Sequence, residues 1–181
     1  MYSSRAGEKL DFAIKHFQIN VKDKTVADFG SSTGGFVDCL LKYGAKKVFA
    51  IDTAYGELDY KLRQDSRVVV MERTNALYVN LPEKVDIVTI DVGWTRQKLI
   101  IPKAIELLKK DGVIISLLKP HYEAPRNYLK KGKLEEEYVE VIVDEVIKEL
   151  KKNGLKVMSI KSPIVGKSGG NVEYLLKIKL G

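Results

Sequence analysis

Three features of the sequence predict a Rossmann-like α/β fold: a mostly parallel seven-stranded sheet with an antiparallel last strand and helices on both faces. Strand-like apolar runs alternate with amphipathic stretches, the pattern of parallel strands joined by crossover helices. A glycine-rich turn follows the first of these runs. The last two runs have no helix between them, and their connection, 162–171, carries Pro163 and a glycine-rich turn that suit an antiparallel pair.

The elements follow in order. Residues 1–20 hold an amphipathic helix, read from Leu10, Ala13, Ile14 and Phe17, which fall on one stripe. The first strand is expected at 25–30. The next helix places Phe36, Val37, Leu40 and Leu41 on one face and stops at Gly44. Strands are expected at 48–52 and 67–71, with a short helical stretch at 58–62 between them. The fourth strand, 85–91, is apolar except for Asp86 and Thr89, as suits a strand buried on both faces. Pro102 fits the first turn of the next helix, whose stripe is Ile101, Ala104, Ile105 and Leu108 and which Asp111-Gly112 should close. A fifth strand is expected at 113–118. A long helix then opens with Glu135, Glu136 and Glu137 and ends with Lys151, Lys152 and Asn153-Gly154. Those charges oppose its dipole at both ends, and Gly154 can take a left-handed cap. Strands at 156–161 and 172–180 complete the set. No repeat or linker interrupts it, so residues 1–181 read as one domain.

At 181 residues the chain can bury a core without disulfides or a structural metal. Hydrophobic residues make up 45% and charged residues 30%, which excludes disordered and collagen-like classes. Cys39 is the only cysteine, and His16 and His121 lack metal-ligand spacing, so no metal is expected. No apolar run approaches the roughly 18 residues of a membrane span, and residues 1–10 lack the apolar core of a signal peptide. A cytoplasmic, reduced protein is the expectation. Lys plus Arg is 31 against 24 Asp plus Glu, a formal +7 that suits a polyanionic partner. A lysine- and glutamate-rich surface of the thermophile kind would give the same balance.

In open parallel sheets, ligands bind beyond the carboxyl ends of the strands. Those ends here carry Asp28-Phe29-Gly30, continuing as Ser31-Ser32-Thr33-Gly34-Gly35, then Asp52, Asp91 and Lys119. An antiparallel last strand brings Glu173 to the same rim. Core packing requires none of these charges. The turn lets backbone approach a ligand and aims helix N–H groups at it. Its spacing differs from the G-x-G-x-x-G of dinucleotide enzymes. Asp52, 22 residues after Gly30, is placed to hold both hydroxyls of a ribose, so a cofactor with adenosine but no pyrophosphate fits: S-adenosylmethionine. A tight turn and an exposed strand-end acid remain the bland alternative. Asp91 ends an apolar strand and needs a partner. With Lys119 it forms either part of a reaction site or a structural ion pair between strand ends.

Five stretches carry a family resemblance: residues 4–10 (SRAGEKL), 28–36 (DFGSSTGGF), 72–76 (ERTNA), 119–124 (KPHYEA) and 170–174 (GNVEY). Over nearly its whole length the chain resembles the TlyA-type, haemolysin-labelled branch of the FtsJ-like RNA 2′-O-methyltransferases. The resemblance implies a class I methyltransferase fold and S-adenosyl-L-methionine as cofactor. It implies RNA as partner, in particular ribosomal RNA or ribosomal subunits, and a Lys-Asp-Lys-Glu catalytic tetrad at Lys9, Asp91, Lys119 and Glu173. Cofactor contacts are implied for Asp28, for Gly30, Ser31, Ser32, Thr33, Gly34, Gly35 and Phe36, for Asp52 and Asp91, and for Asn75 near the adenine. Lys9 rests on the resemblance alone, because a lysine near the start of an amphipathic helix is ordinarily solvated. Lys119 acts either as a base with a depressed pKa or as a cation that stabilises a developing alkoxide.

Two departures from the family stand out. The family usually carries an N-terminal S4-type RNA-binding domain, whereas this chain reads as the catalytic domain without it. Residues 93–97 (GWTRQ) also differ from the family's Ser-Phe-rich version. Trp94 can stack on a base or cap the core, and Arg96 can hold a phosphate. Arg5, Tyr122 and the basic loop 126–133, with Arg126, Lys130 and Lys131, complete the candidate RNA contacts. The alternatives are a module that binds RNA or cofactor without catalysis and a methyltransferase acting on a small molecule or protein. A membrane-active lysin has no transmembrane segment to support it.

Overall fold

Helix α1 (Arg5–Phe17) buries the predicted stripe of Leu10, Ala13, Ile14 and Phe17, together with Gly7 and Lys9. The computed structural model that shows this describes residues 1–166 and 170–181; of the glycine-rich turn expected within 162–171, residues 167–169 lie outside the described residues. Strand β1 (Thr25–Phe29) is buried throughout. Helix α2 (Gly35–Lys42) ends where predicted: Gly44 has φ +86°, its N–H reaches the Leu41 carbonyl at 3.0 Å, and the Ala45 N–H reaches that of Leu40 at 3.0 Å. This pair of bonds is a Schellman cap.

Strand β2 (Lys47–Ile51), helix α3 (Tyr60–Arg63), strand β3 (Val68–Met71) and strand β4 (Val85–Ile90) follow, then helix α4 (Gln97–Leu107) and strand β5 (Leu108–Leu118). A short helix α5 (Pro120–Glu123) and a small hairpin, β6 (Leu129–Lys130) with β7 (Lys133–Leu134), precede helix α6 (Glu136–Lys152). Strands β8 (Leu155–Lys161) and β9 (Tyr174–Leu180) close the chain.

The seven-stranded sheet has the order β3-β2-β1-β4-β5-β9-β8. Its pairs are parallel except those of β9, which runs antiparallel to both neighbours. The order reverses between β1 and β4, the topological point where such sheets open a crevice. Successive residues feed opposite faces. Leu175 joins Leu10, Ile14, Phe36 and Leu40 under α1 and α2, while Leu176 joins Ile100, Val143 and Val146 under α4 and α6. Helices α1 and α2 cross at two glycines: a Cβ on Gly35 would lie 2.9 Å from the Gly7 nitrogen, and one on Gly7 would lie 2.8 Å from the Gly35 carbonyl oxygen. That close crossing brings the second turn of α1 to the rim of the sheet.

Three expectations need correction. Helix α4 begins at Gln97, so Pro102 lies inside it and not in its first turn. Helix α4 ends at Leu107, and Asp111-Gly112 lies inside β5 rather than closing the helix. Val85 already pairs with Leu108, and the next pair is Ile87 with Val113, so residues 109–112 bulge out against Asp86 alone. Asp86 holds the bulge by accepting the Thr25 N–H at 2.9 Å and Lys109 at 3.0 Å. The basic stretch near residue 130, read as a loop, is the β6–β7 hairpin, turning on Lys131 (φ +49°) and Gly132 (φ +78°). Two positive-φ residues between paired strands match the turn that follows strand twist.

Candidate active site

The glycine turn is shaped by contact with neighbouring strand ends. Gly30 has φ +82°, and a Cβ there would stand 2.2 Å from the Asp91 carbonyl oxygen. The N–H groups of Gly30 and Ser31 both donate to the Ile51 carbonyl, at 2.8 and 3.0 Å, which fastens the turn to β2. Asp52 accepts the Ser32 N–H at 2.8 Å on one carboxylate oxygen and the Ala54 N–H at 2.8 Å on the other. Each oxygen keeps a further lone pair for a ligand hydroxyl. Asn75 accepts the Leu77 N–H at 3.0 Å and so fixes the turn at 76–78. Thr33, Gly34 and Phe36 complete the passage into α2, and the Gly34 Cα faces the Leu58 and Leu62 side chains.

Asp28 is fully buried at the end of β1. It accepts the Thr89 hydroxyl at 2.7 Å on one oxygen, while the other has no hydrogen-bond partner. Burial pushes its pKa up to about 7 despite the Thr89 hydrogen bond, and the charges of Asp91 and Asp52 add to the rise.

Two cavities of about 320 and 330 Å³ meet at Gly30, Ser32 and Asp91. Asp52, Thr53, Asn75 and Leu77 line the second, and Arg5, Lys9, Lys119, His121, Tyr122 and Glu173 help line the first. Two ion pairs cross the first cavity. Lys9 Nζ lies 2.5 Å from Glu173 Oε1 with both residues buried, and Lys119 Nζ lies 2.7 Å from Asp91 Oδ1. The four come from α1, the end of β4, the end of β5 and the approach to β9. The Asp91 N–H continues the ladder to the Phe29 carbonyl at 3.0 Å. Burial opposes the Lys119 ammonium, but Asp91, by charge and hydrogen bond, and then Glu173 outweigh it and hold the pKa above its ordinary value.

His121 stands in the sequence only as part of the 119–124 stretch and as a histidine without metal-ligand spacing, with no site role of its own. It lines the first cavity, its ring lies 4.2 Å from that of Tyr122, and its Nδ1 is buried without a hydrogen-bond partner. Burial and then the Lys119 charge depress its pKa to about 4, so it is neutral. Its position two residues after Lys119 was the available signal.

The candidate RNA contacts divide into two groups. Arg5 and Tyr122 line the first cavity, and Trp94 lies at its edge, 86% exposed, its ring 4.8 Å from that of Tyr122. A ring so exposed does not cap the core. Arg96, Arg126, Lys130 and Lys131 are exposed and line neither cavity, and Lys130 is paired with Glu135.

The fold fits S-adenosylmethionine by its own features. Gly30 lines both cavities and has no room for a side chain against the Asp91 carbonyl, Asp52 can take two hydroxyls, and the carboxylates of Asp52 and Asp91 favour a cationic ligand. Asp28 lies buried behind them and lines neither cavity. A sheet whose order reverses at a glycine turn, an acid at the end of β2 and an antiparallel β9 set between β5 and β8 are together the architecture of a Rossmann-like methyltransferase. The chain belongs to the FtsJ-like methyltransferase family, which it matches over residues 2–180.

Among its relatives, YqxC of Bacillus subtilis is 42% identical over 98% of this chain and 65% of its own length. The 16S/23S rRNA (cytidine-2′-O)-methyltransferase TlyA of Mycobacterium tuberculosis is 36% identical over 97% of this chain and 68% of its own. The chain thus spans about two thirds of these relatives. A solved structure from Lactococcus lactis, described as a hemolysin, superposes with a TM-score of 0.92 at 38% identity, covering 98% of this chain and 88% of that one. Among the described residues no helix is long and apolar enough to cross a membrane.

Proposed function

We propose that residues 1–181 form one methyltransferase domain that transfers a methyl group from S-adenosylmethionine to a ribose 2′-hydroxyl of ribosomal RNA, in the cytoplasm, through Lys9, Asp91, Lys119 and Glu173. The observation that carries this reading is the meeting of two lysine–carboxylate pairs, from four separate elements, beside a glycine cradle. A structural pair at one strand end would not need the second. The identity to TlyA supports the choice of RNA ribose as acceptor.

The cofactor supplies an electrophilic methyl group. Gly30 to Phe36, Asp52 and Asn75 would hold it, with Asp52 on the ribose. Lys119, kept charged by Asp91 and Glu173, donates a hydrogen bond to the acceptor oxygen and stabilises the negative charge that grows there. The bound cofactor would give up its methyl to that oxygen, and the hydroxyl proton, which an already charged Lys119 cannot take, would leave to solvent. Lys9 and Glu173 fix each other and hold the second carboxylate near Lys119. Arg5, Tyr122 and Trp94 surround the place an acceptor nucleotide would take, where aromatic faces can stack on its base. Arg96, Arg126 and Lys131 are left for phosphates farther out, and Lys130 joins them if it exchanges Glu135 for RNA.

The test is transfer of labelled methyl to ribosomal RNA or ribosomal subunits, followed by alkaline hydrolysis. A 2′-O-methyl group removes the nucleophile alkali requires, so label should remain in resistant dinucleotides. Label in mononucleotides would mean base methylation. Cofactor binding without any transfer would leave a binding module.

A further inference from the structure

The far rim of the sheet carries a second feature that the active site does not use. Helix α1 ends at Phe17, and the chain turns through Gln18 to Asn20 before β1. Past that helix end lies a groove of about 660 Å³, lined by Lys24, Lys109, Lys110, Lys177 and Lys179, with Asp86 and Asp111 as its acids. The lysines come from the approach to β1, the bulge of β5 and the end of β9. We propose that this groove is a second contact for RNA backbone phosphates, so that the preferred substrate is a folded RNA that touches both rims of the sheet. The inference rests on the RNA reading above.

Charge is the first argument. Asp86 is already committed to the Thr25 N–H and to Lys109. Among the described residues no carboxylate lies within ion-pair distance of Lys24, Lys110, Lys177 or Lys179. Four lysines without an ion-pair partner therefore share the groove with Asp111, and Lys24 also feels the charge of Asp86.

Register is the second argument. Lys179 stands directly opposite Lys156 on β8, and like charges in that relation oppose strand pairing. A lysine on an edge strand is an ordinary guard against aggregation, which accounts for Lys156. It does not account for Lys177 and Lys179, because β9 is an inner strand between β5 and β8. A polyanion across these positions would offset their mutual repulsion with attraction to phosphate. Lysine suits this role as a point charge that holds phosphate without reading sequence.

Position is the third argument. The groove is at the amino ends of the parallel strands, and the active site is at their carboxyl ends. The six residues of β4 set the rims roughly 20 Å apart, at about 3.3 Å per residue. A short strand seated in the active site leaves the groove empty, whereas a folded RNA can lay separate segments on each.

The experiment compares the wild type with a Lys110→Gln/Lys177→Gln/Lys179→Gln variant, none of which touches the catalytic cavity. Binding of full-length ribosomal RNA and of a ten-nucleotide single strand is measured across a salt series, with methyl transfer read in parallel. Loss of three phosphate contacts should lower the slope of log affinity against log salt for the long RNA by about two to three. KM for that RNA should rise about tenfold with kcat unchanged, and binding of the short strand should not move. Equal slopes for the two proteins on long RNA overturn the groove; equal weakening on both RNAs overturns the two-rim arrangement. Because binding is read apart from transfer, a wild type that binds RNA without methylating it would defeat the proposed activity and leave the groove to be judged on its slopes. Unfolding midpoints at or above the wild type exclude misfolding as the cause.

Discussion

The carbonyl oxygen of Asp91 occupies the space into which a side chain at Gly30 would project, 2.2 Å from the Cβ position. Two strand ends are thus in backbone contact at the centre of the site. Gly30→Ala faces both that collision and a positive φ, which L-residues adopt at a cost of about 1–2 kcal/mol. The variant should lose about 2–4 kcal/mol of stability and more than tenfold in S-adenosylmethionine affinity, read by thermal unfolding and calorimetric titration. Retained affinity would place the cofactor elsewhere.

Lys9 and Glu173 make the more buried of the two ion pairs, so their removal should be non-additive. Lys9→Met strands a buried carboxylate, a change that typically costs about 3–5 kcal/mol, whereas replacing both partners can be nearly neutral. Lys9→Met/Glu173→Gln should therefore unfold at a higher temperature than Lys9→Met while remaining inactive. A double variant that recovers stability and activity together would reduce the pair to a structural role.

For Lys119, the raised pKa distinguishes its two possible roles. A charged Lys119 gives a kcat that shows no lysine ionisation between pH 6 and 9. A Lys119 base with depressed pKa gives a kcat that climbs through that range. Lys119→Ala should lower kcat by about 10²–10⁴ with cofactor affinity within threefold of wild type. Equal loss of both would move Lys119 into the cofactor site.

Three of these four charges were legible in the sequence because packing alone puts no charge at the end of an apolar strand. Asp91, Lys119 and Glu173 sit at such ends; Lys9 does not. Its burial depends on a partner 164 residues away, and on the Gly7–Gly35 crossing that sets α1 against the rim. The same limit applies to the β5 bulge, since the pairing of Val85 with Leu108 is a non-local choice that no local turn signal encodes. Trp94 shows the limit for a single side chain. Its ring stands exposed on a residue with a backbone φ of +62°, an unusual conformation for a bulky residue that no local pattern announces.

That conformation presents the Trp94 ring beside Tyr122, and Lys119 lies 5.7 Å from the Tyr122 ring. Base stacking on an aromatic side chain is worth about 1–3 kcal/mol by alanine substitution. Trp94→Ala should raise KM for RNA about five- to a hundredfold and leave stability unchanged or improved, because an exposed ring contributes little to the core. Trp94→Phe should restore most of the affinity. A stability loss above about 2 kcal/mol in Trp94→Ala would show a packing role instead.

Asp28 supplies the pH dependence. Its pKa is pushed up to about 7 from the ordinary 3.8, chiefly by burial, so at mildly acidic pH the folded chain holds a proton that the unfolded chain lacks. The stability this confers is fully present below about pH 4 and is lost as pH rises through 7, the reverse of a salt-bridged carboxylate. Asp28 lies within charge range of Asp52 and Asp91, so a cationic ligand beside those two favours its ionised form and releases the proton. Affinity for S-adenosylmethionine should therefore rise between pH 6 and 8, with proton release visible as a binding enthalpy that changes with buffer ionisation heat. Asp28→Asn should flatten both the stability and the affinity profiles. A wild-type affinity independent of pH over this window would mean that Asp28 keeps the same protonation state with and without the cofactor.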